Sequence, residues 1–283
     1  MRTGPSGEGT RIAPPLRAWL IVEVVFGLAA MATIALRPQD SATNFAWPIK
    51  PDVTAALLGA FYMSSAWVFV LAAFARRWET IRVMMIPAIL FTSTELMATL
   101  LHWDKFTVDS TPFVVWFASY LLPPPILAAC YLWQRSHSTS RPGIDPIPRS
   151  LLVAMTVIGA MLAGEGIAAF IWPRILISSA PWDLSPLTAR AICGWLIALG
   201  TMLLFAARDG HRERTLVVSP FFILVGPSIV LQTLRFHKQV DWTHPRALIS
   251  AIVLSIVFAI GVYLALGDWA SYFRRSDREI VSR

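Results

Sequence analysis

Charge is scarce in this chain. Of 283 residues, 14% are charged and 56% are hydrophobic, whereas soluble domains carry about 25% charged residues. A water-soluble globule of this size lacks the polar surface it needs. Cysteine is scarce too: Cys130 and Cys193 are the only two, both within apolar runs, and without a CxxC pair they give no disulfide framework. HExxH and CxxCH are missing, as is every other catalytic or cofactor fingerprint, so no cofactor or metal is expected and the reading favours a role other than catalysis. Basic residues are not gathered into a tail. The net charge of +7 therefore points to membrane orientation and anionic lipid rather than to nucleic acid.

What the sequence has is long apolar stretches. A spanning helix needs about 20 mostly apolar residues. Eight such stretches are present: 18–36, 53–75, 82–102, 112–134, 150–172, 187–207, 215–235 and 246–267. Pro51, Pro112, Pro186 and Pro245 stand at or just before helix starts, where a missing N–H costs nothing. The run from Ala18 is longer than the 7–15 residue core of a signal peptide and reads as a retained first helix. The expected fold is an all-α integral membrane protein.

Arginine and lysine set the orientation. Sixteen fall in the amino-terminal segment, in the gaps after the second, fourth and sixth helices and in the carboxyl tail, against eight in the other gaps. Both termini are accordingly expected in the cytoplasm of a bacterial cell (plasma) membrane.

The chain also matches itself. Shifted by 135 positions without a gap, residues 47–102 give eleven identities, among them Trp47 with Trp182, Pro51 with Pro186, Gly59 with Gly194 and His102 with His237. This excess suggests duplication. The expected organisation is a cytoplasmic segment 1–17, a four-helix repeat 18–134, a cytoplasmic linker 135–149, a second four-helix repeat 150–267 and a cytoplasmic tail 268–283. Four helices return the chain to its starting side, so the two repeats would have parallel topology.

Ionisable side chains at membrane depth are expensive and mark candidate sites. Glu95 and Glu165 fall at one depth in the outer half of the bilayer, with His102 and His237 at the outer ends of their helices. Together the four define a candidate polar cavity able to bind a cation or relay protons. Glu23, nearer the inner end of the first helix, is expected to reach cytoplasmic water. Pro123, Pro124 and Pro125 must kink or break the fourth helix, and Gly226 with Pro227 does something similar in the seventh; such breaks at membrane depth are candidate binding points. A stripe of Gly159, Ala163, Gly164 and Gly166 favours close helix contact. Phe45, Trp47, Trp103, Trp172, Trp182 and Trp242 read as an aromatic belt or, at Phe45–Pro48 and Pro181–Trp182, as a lid over a cavity.

Three roles fit these residues. One is transporter-like binding or permeation of a small solute or ion through the outer-half cavity. Another is a non-catalytic component that assembles with lipid, partner membrane helices or copies of itself. The third, with the thinnest support, is a haem or metal protein using His102 and His237.

Overall fold

A computed structural model of the protein describes residues 10–138, 143 and 145–281, with side chains described as far as Leu266. Arg2, Arg141 and Arg283 lie outside the described residues, and so do the side chains of Arg274, Arg275 and Arg278. The chain is an all-α membrane protein. Its main helices are α1 (Pro14–Ala35), α2 (Asp52–Phe74), α3 (Trp78–Leu101), α4 (Thr111–Ser136), α5 (Arg149–Ile171), α6 (Pro186–Asp209), α7 (Ser219–Arg235) and α8 (Pro245–Val281). Among the described residues, seven are long and apolar enough to cross a bilayer; α7 is a shorter apolar helix.

The helix ends follow from local chemistry. Pro14, Pro112, Pro186 and Pro220 occupy first-turn positions. Ser110 and Ser185 cap α4 and α6, their hydroxyls accepting from the N–H of Phe113 at 3.3 Å and of Thr188 at 3.2 Å. Gly210, at φ 73°, ends α6 in the left-handed conformation that only glycine adopts without cost. Three helices outrun their expected limits by four residues or more, and α1, which starts at Pro14 rather than 18, is the first. α3 starts at Trp78 rather than 82 because the charged groups in its first turns are paired: Glu79 accepts from the N–H of Thr10, and Arg82 binds Asp209. α8 runs on to Val281, past the expected tail boundary at 268.

We call the end of the bundle that holds Pro14 and the α2–α3 turn proximal, and the opposite end distal. Arginines tie the helix ends together. At the proximal end Arg17 donates to the carbonyls of Ala73 (2.7 Å) and Ala75 (2.8 Å), where α2 stops. At the distal end Arg235 donates to Ala35 (2.8 Å) and Leu36 (3.1 Å), where α1 stops. Each places a cation on unpaired carbonyls at the negative pole of a helix.

Helices α2, α3, α6 and α7 form the centre, with α3 packed on α6 and α7 on α2; α1, α4, α5 and α8 flank them. The most apolar stretch of α6 is 78% buried and that of α8 only 22%, which separates a core helix from one facing lipid. Phe61 and Trp195 stack across the centre at 5.3 Å. The aromatic side chains expected in a belt divide. Trp103, Trp172 and Trp242 are exposed, whereas Phe45 and Trp47 are buried against Trp116.

α5 lies flat on α6. A Cβ on Gly200 would stand 2.4 Å from the backbone nitrogen of Ala163, and one on Gly159 would stand 2.8 Å from the carbonyl of Gly200. Small residues therefore bring two backbones into contact. α1 touches α2 closely at its distal end, where a Cβ on Gly59 would stand 2.4 Å from the backbone nitrogen of Ala35. It also meets α2 at Gly27, against Ala66, packs on the proximal part of α4, and diverges from the distal part.

Candidate functional site

That divergence opens a cleft of about 240 Å³ between α1, α2, α3 and α4. Asn44, Phe45, Thr111 and Pro112 line its distal end, and Glu23, Tyr62, Ser65 and Tyr120 lie deeper. Glu23 is nine residues into α1 and Tyr62 ten into α2, roughly 14–15 Å along either axis. That distance is about half the thickness of a hydrocarbon layer, which is about 30 Å.

Glu23 is buried, with Oε1 accepting from Trp19 Nε1 at 2.9 Å. The expectation that it reaches cytoplasmic water is corrected here: one turn of helix earlier, Trp19 covers it, and the open space beside it is the cleft. The hydroxyls of Tyr62 and Tyr120 hydrogen-bond each other. Trp116 stands over Tyr120 at 4.3 Å, and its Nε1 donates to Thr99 Oγ1 at 2.9 Å. The walls are otherwise mainly apolar, the usual make-up of a small-molecule site with a few placed polar groups.

None of Glu95, His102, Glu165 and His237 lines this cleft. Glu95 is 1% exposed and packs on Gly194 of α6, where a Cβ would come within 2.3 Å of its Oε1. His102 Nε2 faces Arg190 Nη1 at 2.6 Å, while Arg190 Nε donates to the carbonyl of Phe170 at 3.0 Å. Glu165 is paired with Arg246, which also reaches Ser179 Oγ at 3.3 Å. His237 is exposed at the distal end. Glu95 and Glu165 do approach α6 from two sides, and Cys193 is within electrostatic reach of both. Among the described residues, no three His, Cys, Asp or Glu side chains converge on one point.

The proline triplet does adjoin the cleft. α4 is interrupted there as expected: its first part ends at Leu121, the chain bends at Leu122 and the helix resumes at Pro123, with the N–H of Ile126 reaching the Leu122 carbonyl at 3.3 Å. Each proline removes the N–H that would pair four residues back. The carbonyls of Ser119, Tyr120 and Leu121 therefore lose those donors, and the first two of these residues line the cleft. Gly226 and Pro227 lie inside an unbroken α7, away from the cleft. There Gly226 admits the α8 backbone, with the Leu254 carbonyl 3.3 Å from the position of a Cβ.

Sequence reasoning passed over Tyr62, Tyr120 and Trp195. The available signal was depth: tyrosine and tryptophan gather at membrane interfaces, and these three sit in mid-helix.

His102 carries a pH dependence. Burial lowers its pKa below the usual 6.5, and the Arg190 cation adds to this while Asp104 opposes it. The unfolded chain thus binds the proton first as pH falls. The stability contributed by neutral His102 is complete above pH 6.5 and is lost as pH drops through the depressed folded value. Thermal unfolding in detergent between pH 7 and 5 should show this loss in the native chain and a flatter profile in His102→Gln. An equally steep profile in the variant would assign the effect elsewhere.

No family model, curated protein or solved structure matches this chain.

Proposed function

We propose that this protein is a transporter-like membrane protein that binds a small, mostly apolar molecule carrying one hydrogen-bond-donating or cationic group, in the cleft that ends at Glu23. The observation that carries the reading is the composition of the cleft. Apolar walls lead to a buried carboxylate and a tyrosine pair at mid-depth. At that depth polar groups are costly unless they serve a ligand or each other. The divergence of α1 from distal α4 supports entry from that half of the bilayer, which suits an amphipathic ligand.

The construction we propose is eight spans in two parallel four-helix repeats, with both termini in the cytoplasm. Paired contacts support the duplication. The Thr10 carbonyl accepts from Trp78 N–H at 2.8 Å, and the Asp145 carbonyl accepts from Arg212 N–H at 2.9 Å. The N–H of Thr10 reaches Glu79 Oε1 at 3.3 Å, and that of Asp145 reaches Glu213 Oε2 at 3.3 Å. The first partner recurs after 135 positions and the second after 134, so one residue has been lost between them. On that register His102 pairs with Phe236 rather than with His237: Lys105 N–H binds the His102 carbonyl and Gln239 N–H the Phe236 carbonyl, both at 2.9 Å. The interlock of α3 with α6 and of α7 with α2 is what a twofold axis would generate. The 17 residues of α7 rise roughly 26 Å, close to the thickness required. The excess of sixteen basic residues over eight supports the orientation.

Fluorescence titration with 1-aminoanthracene tests the binding. In lipid nanodiscs the amine should bind more tightly than anthracene itself. Glu23→Leu should weaken it by about tenfold or more, the worth of a hydrogen bond to a charged group. Equal affinity of the two compounds, or unchanged binding in the variant, would contradict the reading.

A further inference from the structure

Glu95 stands apart from the other carboxylates that are wholly or partly buried. Glu23 has Trp19, Glu165 has Arg246, Asp209 has Arg82 and Arg214, and Glu79 uses one oxygen on Thr10. Among the described residues, Glu95 is the carboxylate whose two oxygens are both buried and both without a hydrogen-bond partner. Such a group contributes nothing to stability and costs several kcal/mol if ionised. Leucine or glutamine of similar volume would fill the same place. A carboxylate retained under these conditions is a functional group by default.

Its neighbours connect it to the cleft. Tyr62 of α2 lies within electrostatic reach of Glu95, and Tyr120 of α4 lies within reach of both Glu95 and Glu23. The two tyrosines are joined through their hydroxyls, and both line the cleft. A hydroxyl donates and accepts at once, so a bonded pair is a proton relay. From the remaining helices, Cys193 of α6 is within electrostatic reach of Glu95. Arg190 of α6, committed to His102, and the Glu165–Arg246 pair of α5 and α8 complete the charged surroundings.

We propose that Glu95 is a proton-carrying site loaded from the cleft through the Tyr62–Tyr120 hydroxyl pair, so that ligand occupancy and the charge on Glu95 are linked. The proposal rests on the cleft being the ligand site. In the transfer, a proton from the cleft binds one tyrosine oxygen as that hydroxyl passes its own proton to the second. The second hydroxyl releases its proton to the Glu95 carboxylate. One O–H bond forms on Glu95, one proton leaves the cleft, both tyrosines are restored and no electron moves. The last step needs a rotation of the Glu95 side chain, which no hydrogen bond opposes. A positively charged ligand next to Glu23 lowers the proton affinity of Glu95, so its binding sends the proton back through the tyrosine pair and the cleft to bulk water, and departure of the ligand lets it reload. This linkage is reciprocal.

Isothermal titration of the full chain with 9-(aminomethyl)anthracene, an alkylamine that is positively charged at pH 7, in two buffers of different ionisation enthalpy, counts the protons moved per probe bound. The expected result is a clear difference in heat between buffers for the native chain, and almost none for Glu95→Gln. Equal heats in both buffers for the native chain, or a buffer difference that persists in the variant, would overturn the proposal. Absence of any binding heat in the native chain would instead defeat the cleft reading. Infrared pH titration without probe then decides the matter for Glu95: a protonated-carboxyl band that titrates in the native chain and in Glu23→Gln but disappears in Glu95→Gln supports the site, and a band unaffected by Glu95→Gln removes it. Should Glu95→Gln not fold, Glu95→Asp is expected to shift that band, and an unshifted band counts against the site.

Discussion

Asp209→Ala should destabilise the protein by about 3–5 kcal/mol, the cost of stranding buried charge when one partner of an ion pair is removed. The Asp209 side chain is 4% exposed at the proximal end of α6. Arg82 of α3 binds it through Nε at 2.9 Å, Arg214 approaches at 3.3 Å and His211 at 3.5 Å. The Arg214 side chain is itself only 9% exposed. Without the aspartate, Arg82 and Arg214 lose the carboxylate that lies between them and face each other as like charges. Lys105→Ala provides the contrast. Its partner Asp104 is 69% exposed, and exposed pairs are worth about 0–1 kcal/mol. Urea unfolding in mild detergent should separate the two variants clearly. A loss below about 1 kcal/mol for Asp209→Ala would mean that water reaches this cluster.

Gly200→Val should be comparably damaging for a different reason. A Cβ there meets backbone atoms, Ala163 N at 2.4 Å and Gly159 O at 2.6 Å, and backbone cannot turn aside as a flexible side chain can. Overpacking typically costs about 1–3 kcal/mol, and a clash between two main chains belongs at the upper end or beyond. We expect α5 to lift from α6, seen as a lower melting temperature. Gly164→Val is the control, since nothing lies within 4 Å of a Cβ there. Equal losses from both substitutions would show that helix propensity, not contact, is being measured.

These two predictions also mark how far the sequence could be read. Hydropathy located the helices, because oil against water is a first-order energy difference that every residue reports. It also picked out the small-residue face of α5, though it could not tell that Gly164 points away from α6 while Gly159 and Gly166 point toward it. Position along a helix gives depth, whereas the direction a side chain faces depends on partners far away in the chain. Arg190 with His102 and Arg246 with Glu165 are separated by 88 and 81 residues, and nothing local announces either pair. For the same reason Glu23 was misjudged. Its depth was legible, but the covering Trp19 and the splay of α1 from α4 are products of tertiary packing.

Proline was more informative. Three consecutive prolines deny donors to known carbonyls whatever the packing, and two of the residues concerned line the cleft. Sequence could place the break but not what it adjoins, because α1 approaches it from a hundred residues away. Glu95 was recognised as unusual by its depth, while its lack of any partner required coordinates.

The claim on which the functional account stands is that ligand enters between α1 and distal α4. Thr33 and Thr111 line opposite walls of the cleft. The most direct measurement is to replace both with cysteine, with Cys130 and Cys193 changed to alanine, and to join them with a cleavable bifunctional maleimide, the link being verified by mass spectrometry. The linked protein should no longer bind 1-aminoanthracene, and cleavage of the linker should restore binding. Full binding with the two walls tied together would contradict the account.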